Sequence, residues 1–337
     1  MMSSPEVHDL VIVGAGPAGL SAAITAESER IDSLLLDSSS RLGGQAGTSS
    51  FIENYAGFPE GISGDELMAR MVDQALKFDT EFIAPARVED INWSDEGILV
   101  RTDDAETFLG RAALLSTGVE YRRLKARNLA AYLGRGATYG TPHRRDVYRD
   151  SKIFIIGGAN SAGQAAVYLS DFEACEVHLL IRGPNIEDKM SGYLVDKVLS
   201  KDGIHVHTNT ELVGVDGNGR LEKVTVKHDD NTENMEADEV FVLIGSVPKT
   251  NWLPDTVTRD EQGFVMAGGD IPPEVRAVFA EKSGGRQPFS HETSMPGLFV
   301  AGDVRCGTNK RVALAAGDGA AVIPELHRYK DLAIPKH

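Results

Sequence analysis

Residues 9–23 read DLVIVGAGPAGLSAA, and the fold follows from how that stretch divides. An apolar run ends at Gly14, the glycines at 14, 16 and 19 fall in GxGxxG spacing, and small residues then continue in a helical pattern. Gly14 permits a tight turn, Gly16 lets backbone approach a pyrophosphate, and Gly19 allows close helix–strand packing. The helix N-terminus supplies the positive end of its dipole. A plain structural turn also uses glycines. Here the next apolar run, SLLLD, ends in Asp37, at the place where a carboxylate binds a ribose hydroxyl about twenty residues on.

The same design returns at residues 152–166, KIFIIGGANSAGQAA, with VHLLIR ending in Arg182 where the first unit has Asp37. Two such βαβ units predict two doubly wound nucleotide-binding domains. EVFVLIGSVPKT (239–250) closes the second unit. PGLFVAGDV (296–304) is a further buried strand that needs a parallel sheet to join, and the first domain is the natural host. The expected fold is therefore α/β, with two Rossmann-like domains of three-layer ββα type, the second inserted into the first. The boundaries predicted are 1–117 plus 248–337 for the first domain and 118–247 for the second.

Composition narrows the function classes. The chain has 337 residues, 42% hydrophobic and 25% charged, as in a soluble globular protein. A net charge of −16 opposes nucleic acid except at a local patch. No apolar run has the length of a membrane span, and MMSSPEVHDL lacks the basic and apolar regions of a secretory leader, so a cytoplasmic protein is expected. Cys175 and Cys306 are the only cysteines, too far apart in sequence for a CxxC pair or a disulfide framework. No metal-ligand spacing stands out.

Beyond the first turn, RLGGQAG (41–47), IENYAGFPEGISGDEL (52–67), LLSTG (114–118), GRG (134–136), GLFVAGDV (297–304) and KRVALAAGDG (310–319) follow in order. With these motifs the chain resembles the low-molecular-weight thioredoxin reductases, which belong to the class II pyridine nucleotide-disulfide oxidoreductases, over nearly its whole length. The resemblance implies FAD in the first domain, NADPH in the second, and a homodimer. It carries FAD contacts onto Gly14, Gly16, Pro17, Ala18, Gly19, Asp37, Gly44, Gln45, Asn54, Thr117, Gly118, Gly302, Asp303, Arg311, Val312 and Ala313. In that pattern Asp303 bonds the ribityl chain. The helix beginning near Arg311 points its N-terminus at the pyrimidine end of the flavin, where a positive dipole stabilises the reduced anion.

The second turn departs from the pattern. In register with the family's GxGxxA the key positions are Gly157, Ala159 and Ala162, so a methyl group stands where backbone normally meets pyrophosphate, although Gly158 beside it lets the turn shift. NAD(P)H contacts are expected at Gly157, Gly158, Asn160, Ser161 and Ala162. Where NADPH-using members carry His-Arg-Arg, this chain has Ile181-Arg182-Gly183. Arg182 is left to pair with a 2′-phosphate, which favours NADPH over NADH; the alternative is a plain surface arginine.

The largest departure is GTPHRRDVYR (140–149). Thioredoxin reductases place Cys-Ala-Thr-Cys just after GRGxxY, and here those positions are Gly140-Thr141-Pro142-His143. Disulfide reduction by a dithiol relay is therefore not expected. Two groups share the fold without that motif: ferredoxin/flavodoxin–NADP reductases of thioredoxin-reductase type, and bacillithiol-disulfide reductases, which use a cysteine within the first glycine turn. Ala18 in that turn argues against the second group. His143 is either a proton donor in place of the flavin-proximal thiol or one more polar residue of a surface loop. Around it, Arg122, Arg123, Lys125, Arg127, Arg135, Arg144, Arg145 and Arg149 stand against Asp146 alone. A solvated face is the default reading of such a run; the functional one is steering of an acidic carrier protein. The leading expectation is an FAD-dependent NAD(P)H:acceptor oxidoreductase that passes electrons to a non-disulfide acceptor such as ferredoxin or flavodoxin. The alternatives are a flavoprotein with another electron donor and a non-catalytic flavin-binding sensor or interaction module.

Overall fold

The structure, a computed structural model, describes residues 6–49, 52–94, 96–140 and 148–333. The chain divides into two compact units, one of residues 1–120 and 247–337, the other of residues 121–246.

The first unit opens with β1 (Val7–Val13), whose Leu10, Val11 and Ile12 have no exposed surface. Such burial on both faces belongs to an inner strand of a parallel sheet. Helix α1 (Pro17–Ser28) follows, with proline in its first turn, where a missing N–H costs nothing. Its alanines 18, 22, 23 and 26 are buried, so it lies close on the sheet. Strand β2 (Ser33–Leu36) is wholly buried. Helix α2 (Gly64–Lys77) is capped by Ser63, whose hydroxyl accepts the Glu66 amide at 3.1 Å, and carries Asp65 and Glu66 in its first turn. Strands β3 (Glu81–Ile83), β4 (Val88–Ser94), β5 (Gly97–Thr102) and β6 (Thr107–Leu115) complete this stretch. The sheet order is β3-β2-β1-β6-β5-β4, parallel from β3 to β6 and antiparallel through β6, β5 and β4. The chain crosses into the second unit through β7 (Glu120–Tyr121).

The second unit holds β8 (Ala137–Tyr139), β9 (Lys152–Ile156), α3 (Asn160–Leu169), β10 (Glu176–Leu180), α4 (Gly192–Ser200) and β11 (Ile204–His207). A meander of β12 (Thr210–Asp216), β13 (Lys223–His228) and β14 (Asn231–Glu236) precedes β15 (Glu239–Val242). The parallel sheet runs β11-β10-β9-β15-β8. One face packs against α3 and α4 around Ile153, Ile155, Val177 and Leu179; the other meets the meander around Phe154, Leu180, Leu212 and Val224. The chain leaves through β16 (Ser246–Val247), which pairs with β7.

The last stretch returns to the first unit with α5 (Pro273–Lys282), β17 (Leu298–Val300) and α6 (Val312–Ala333). Strand β17 joins β6 in parallel, Leu298 opposite Ala113 and Val300 opposite Leu115. Because β5 pairs only with Thr107–Gly110, one edge of β6 is shared by two partners of opposite direction. Helices α1, α2 and α6 cover one face of this sheet, and residues of β4, β5 and the 253–267 segment cover the other. Each unit is thus a three-layer Rossmann-like arrangement, and the second interrupts the first. Among the described residues no helix is long and apolar enough to cross a membrane.

Candidate functional site

In the first unit Gly14, Gly16, Gly19, Asp37, Thr117, Gly118, Gly302 and Asp303 lie just beyond the C-terminal ends of β1, β2, β6 and β17. The turn after β1 needs glycine at two places for different reasons. Gly14 has φ +107°, and a Cβ there would lie 2.6 Å from the Ser116 carbonyl oxygen. A Cβ on Gly19 would lie 1.9 Å from the Gly14 carbonyl oxygen and 2.7 Å from Ser116 Oγ. Gly16, by contrast, has nothing within 4 Å of that position. It heads α1 with no side-chain cap, which leaves the first amides of the helix without a side-chain acceptor, the arrangement that suits an anion. Asp37 braces the turn: its carboxylate accepts the Ala15 amide at 2.6 Å and the Ser39 amide at 2.8 Å. The Gly43 amide donates to the Ala15 carbonyl at 2.8 Å, bringing Gly44 against Gly16. Gln45 opens the short helical turn that follows. Thr117 and Gly118 follow Ser116 at the end of β6. Asn54 stands exposed on the loop between Ile52 and Ile62, whose backbones bond each other.

The Gly302–Val304 turn packs against the same helix, a Cβ on Gly302 falling 2.8 Å from Ala18 Cβ. Lys310 Nζ donates to the Asp303 carbonyl at 2.7 Å, and Asp318 on α6 accepts the Gly302 amide at 2.7 Å. The Asp303 side chain is treated differently: its Oδ1 is buried with no hydrogen-bond partner among the described residues. Burial, reinforced by Asp318 and opposed by Lys310, pushes this carboxyl up to about 6. A buried, unsatisfied polar atom is costly to keep, and it marks a place where a ligand completes the structure. Arg311, Val312 and Ala313 sit at the start of α6.

The second unit presents its own turn. Gly157 has φ +155°, and a Cβ there would lie 2.5 Å from the Leu243 carbonyl oxygen. Ala159 is the N-cap of α3, is exposed and supplies no side-chain cap. Asn160 turns its amide oxygen to Ser191, accepting the backbone N–H at 2.8 Å and the hydroxyl at 2.7 Å, and so ties the starts of α3 and α4 together. Ser161 is exposed, whereas Ala162 is buried against the Gly157 turn. Gly158 lies beside Ile181. Arg182 is exposed and has no salt bridge among the described residues.

Neither thiol has the setting of a nucleophile. Burial pushes Cys175 up to about 11, and Cys306, raised by burial, donates to Asp260 Oδ2 at 3.4 Å. Of the basic run, Arg149 pairs with Glu173 at 3.0 Å. Arg122, Arg123, Lys125, Arg127 and Arg135 are exposed and carry no salt bridge among the described residues. His143, with Arg144 and Arg145, lies outside the described residues. Among the described residues no cluster of His, Cys, Asp or Glu is arranged to hold a metal ion. Sequence reading missed Ser116, Lys310 and Asp318. All three lie inside or beside the motifs LLSTG and KRVALAAGDG, and the signal was a polar residue among the small ones.

Two glycine turns, each heading a helix at the C-terminal edge of a parallel sheet, define a two-dinucleotide oxidoreductase. A family model, pyridine nucleotide-disulphide oxidoreductase, matches residues 8–320, and the chain belongs to that family. The thioredoxin reductase of Coxiella burnetii is 30% identical, covering 98% of this chain and 98% of its own length. That of Mycolicibacterium smegmatis is 31% identical with the same coverage. The solved structure of a thioredoxin reductase from Streptococcus pyogenes matches with TM-score 0.80 at 26% identity, covering 97% of this chain and 99% of that one.

Proposed function

We propose that the protein is an FAD-dependent NAD(P)H oxidoreductase of thioredoxin-reductase type that delivers electrons to a non-disulfide acceptor, an acidic ferredoxin or flavodoxin being the best fit. FAD belongs to the first unit, whose site fits it: uncapped amides at the start of α1, Asp37 at the end of β2 and the unsatisfied Asp303 carboxyl. NADPH belongs to the second, at the uncapped start of α3, with Arg182 placed to meet a 2′-phosphate. When bound, these cofactors supply hydride transfer and electron storage. The chain's own part is to hold them, to exclude competing chemistry and to admit the acceptor.

The observation that carries the acceptor assignment is the thiol inventory. Only two cysteines exist, one in each unit, and burial raises the pKa of both thiols. In the register set by the Gly134-Arg135-Gly136 motif, Gly140 and His143 fall where the resemblance places the dithiol. The exposed basic residues of 122–135 add a face that attracts an acidic partner. The test mixes the purified holoprotein anaerobically with NADPH and with NADH, then offers thioredoxin or an acidic ferredoxin. Flavin bleaching by NADPH, no thioredoxin reduction and rapid carrier reduction are expected. Robust thioredoxin turnover overturns the acceptor assignment, and absence of bleaching overturns the donor assignment.

A further inference from the structure

Resting on the assignment of FAD to the first unit, we propose that His291 and Asp318 are positioning residues that hold the Gly302–Asp303 turn in its flavin-accepting shape before the flavin arrives. Asp318 gathers four donors on two oxygens. Oδ2 accepts the Gly302 amide at 2.7 Å and Arg305 Nε at 3.0 Å. Oδ1 accepts Arg305 Nη2 at 2.6 Å and His291 Nε2 at 3.1 Å. His291 in turn donates through Nδ1 to Glu325 Oε1 at 3.0 Å, while its backbone N–H donates to the other Glu325 oxygen at 2.9 Å. Asp318 and Glu325 are seven positions apart on α6, two helical turns, so the imidazole spans one face of that helix like a rung.

Both imidazole nitrogens face carboxylates, so the ring must carry two protons and one positive charge to satisfy them. Burial alone would lower its affinity for that proton, but Asp318 and Glu325 outweigh burial and push His291 up to about 9. The other charges packed around it are Arg305 and Asp303 on the turn, Arg328 on α6, Asp270 near Arg305, and the Arg286–Glu292 pair on its own segment. Arg305 and His291 balance Asp318 and Glu325. The unit is neutral only while His291 is protonated.

The geometric consequence falls on Asp303. Its turn is held by the Gly302 amide on Asp318, and by Lys310 and Thr308, which donate to the carbonyls of Asp303 and Gly302 at 2.7 and 3.2 Å. The turn is braced at these groups, while Asp303 Oδ1 stays buried without a hydrogen-bond partner among the described residues. A turn so fixed presents that carboxyl to a ligand without first having to order, and preorganisation of this kind raises affinity by removing an ordering cost.

The test is FAD titration of the apoprotein, read by quenching of flavin fluorescence, for wild type, Asp318→Asn and His291→Gln. Asp318→Asn should weaken FAD binding by about tenfold or more, since a charge-assisted bond to the turn amide is lost. Asp318→Glu should recover part of that loss. The pH profile separates positioning from general damage. Wild-type affinity should decline as pH rises from 8 through about 9, where His291 loses its proton, whereas His291→Gln should be weaker at pH 7.5 and flat across that range. Wild-type uptake of FAD that neither substitution alters overturns this inference alone. A wild-type chain that takes up no FAD overturns the cofactor assignment and this inference with it.

Discussion

Gly16 and Gly19 stand three residues apart in one turn and answer to different constraints. A methyl group on Gly19 would meet backbone 1.9 Å away, which cannot be relieved by a rotamer change. Gly19→Ala should therefore cost about 3 kcal/mol or more, seen as a lowered melting temperature with and without FAD. Gly16 has φ −79° and nothing within 4 Å of where its Cβ would stand, so Gly16→Ala should change apoprotein stability by about 1 kcal/mol or less while sharply weakening FAD binding. Equal losses of stability in the two variants would mean that Gly16 is a packing glycine after all. Asp303 provides the opposite case, a residue whose native environment is unfavourable to it. Its folded carboxyl titrates at about 6 against an ordinary 3.8, so the apoprotein loses stability as pH rises through that window. Asp303→Asn should stabilise the apoprotein at pH 7 on the order of 1–2 kcal/mol and impair FAD binding, a trade measurable by thermal melts and titration.

At the scale of elements, β10 and β11 bring His178, His205 and His207 onto one face of the second sheet, with Phe154 of β9 stacked on His178 at 4.6 Å. His178 donates Nε2–H to Glu176 at 3.2 Å, so its Nδ1 accepts from His207 at 3.0 Å, and the chain of bonds has room for no further proton on His178. Burial first, opposed by Glu176 and reinforced by His207 and His205, holds His178 at about 4 instead of 6.5. A base with a depressed folded value gives its full stability above 6.5 and loses it as pH falls toward 4, here up to roughly 3 kcal/mol. Acid unfolding of residues 121–246, followed by hydrogen exchange, should begin below pH 6.5. His178→Phe, which keeps the stacking on Phe154, should flatten that limb; an unchanged limb would place the acid sensitivity elsewhere. Nothing in the sequence pointed to this cluster, because the three histidines meet only through strand register, and the meander that covers them has no distinctive motif. The strand–turn–helix units were legible for the converse reason: an apolar run, a glycine and a small-residue helix lie next to each other in the chain. The His291–Asp318 pair escaped notice in the same way as the stack, its partners being ordinary residue types 27 positions apart.

Over the whole molecule, a net charge of −16 coexists with five exposed basic residues between 122 and 135. Long-range repulsion is screened over about 10 Å at 0.1 M salt, so an acidic carrier of the kind proposed would meet the local basic face rather than the net charge. Turnover with an acidic carrier should fall as ionic strength rises from 0.1 M, and Arg122→Glu with Arg123→Glu should slow it without slowing flavin reduction by NADPH. A rate indifferent to both salt and charge reversal would make this stretch a solvated surface only. Charge could be read from composition, but its placement could not, since Arg149 proved to be paired with Glu173. The division of β6 between β5 and β17 has a consequence for biosynthesis. Residues 121–246 are contiguous and can close as soon as they emerge, whereas the first sheet waits for β17, a strand made after them. Until Leu298–Val300 arrives, the outer edge of β6 beyond Gly110 offers free backbone groups to any passing strand. The inserted unit is thus ready first, and the nascent chain carries a sticky edge until its own β17 seals it.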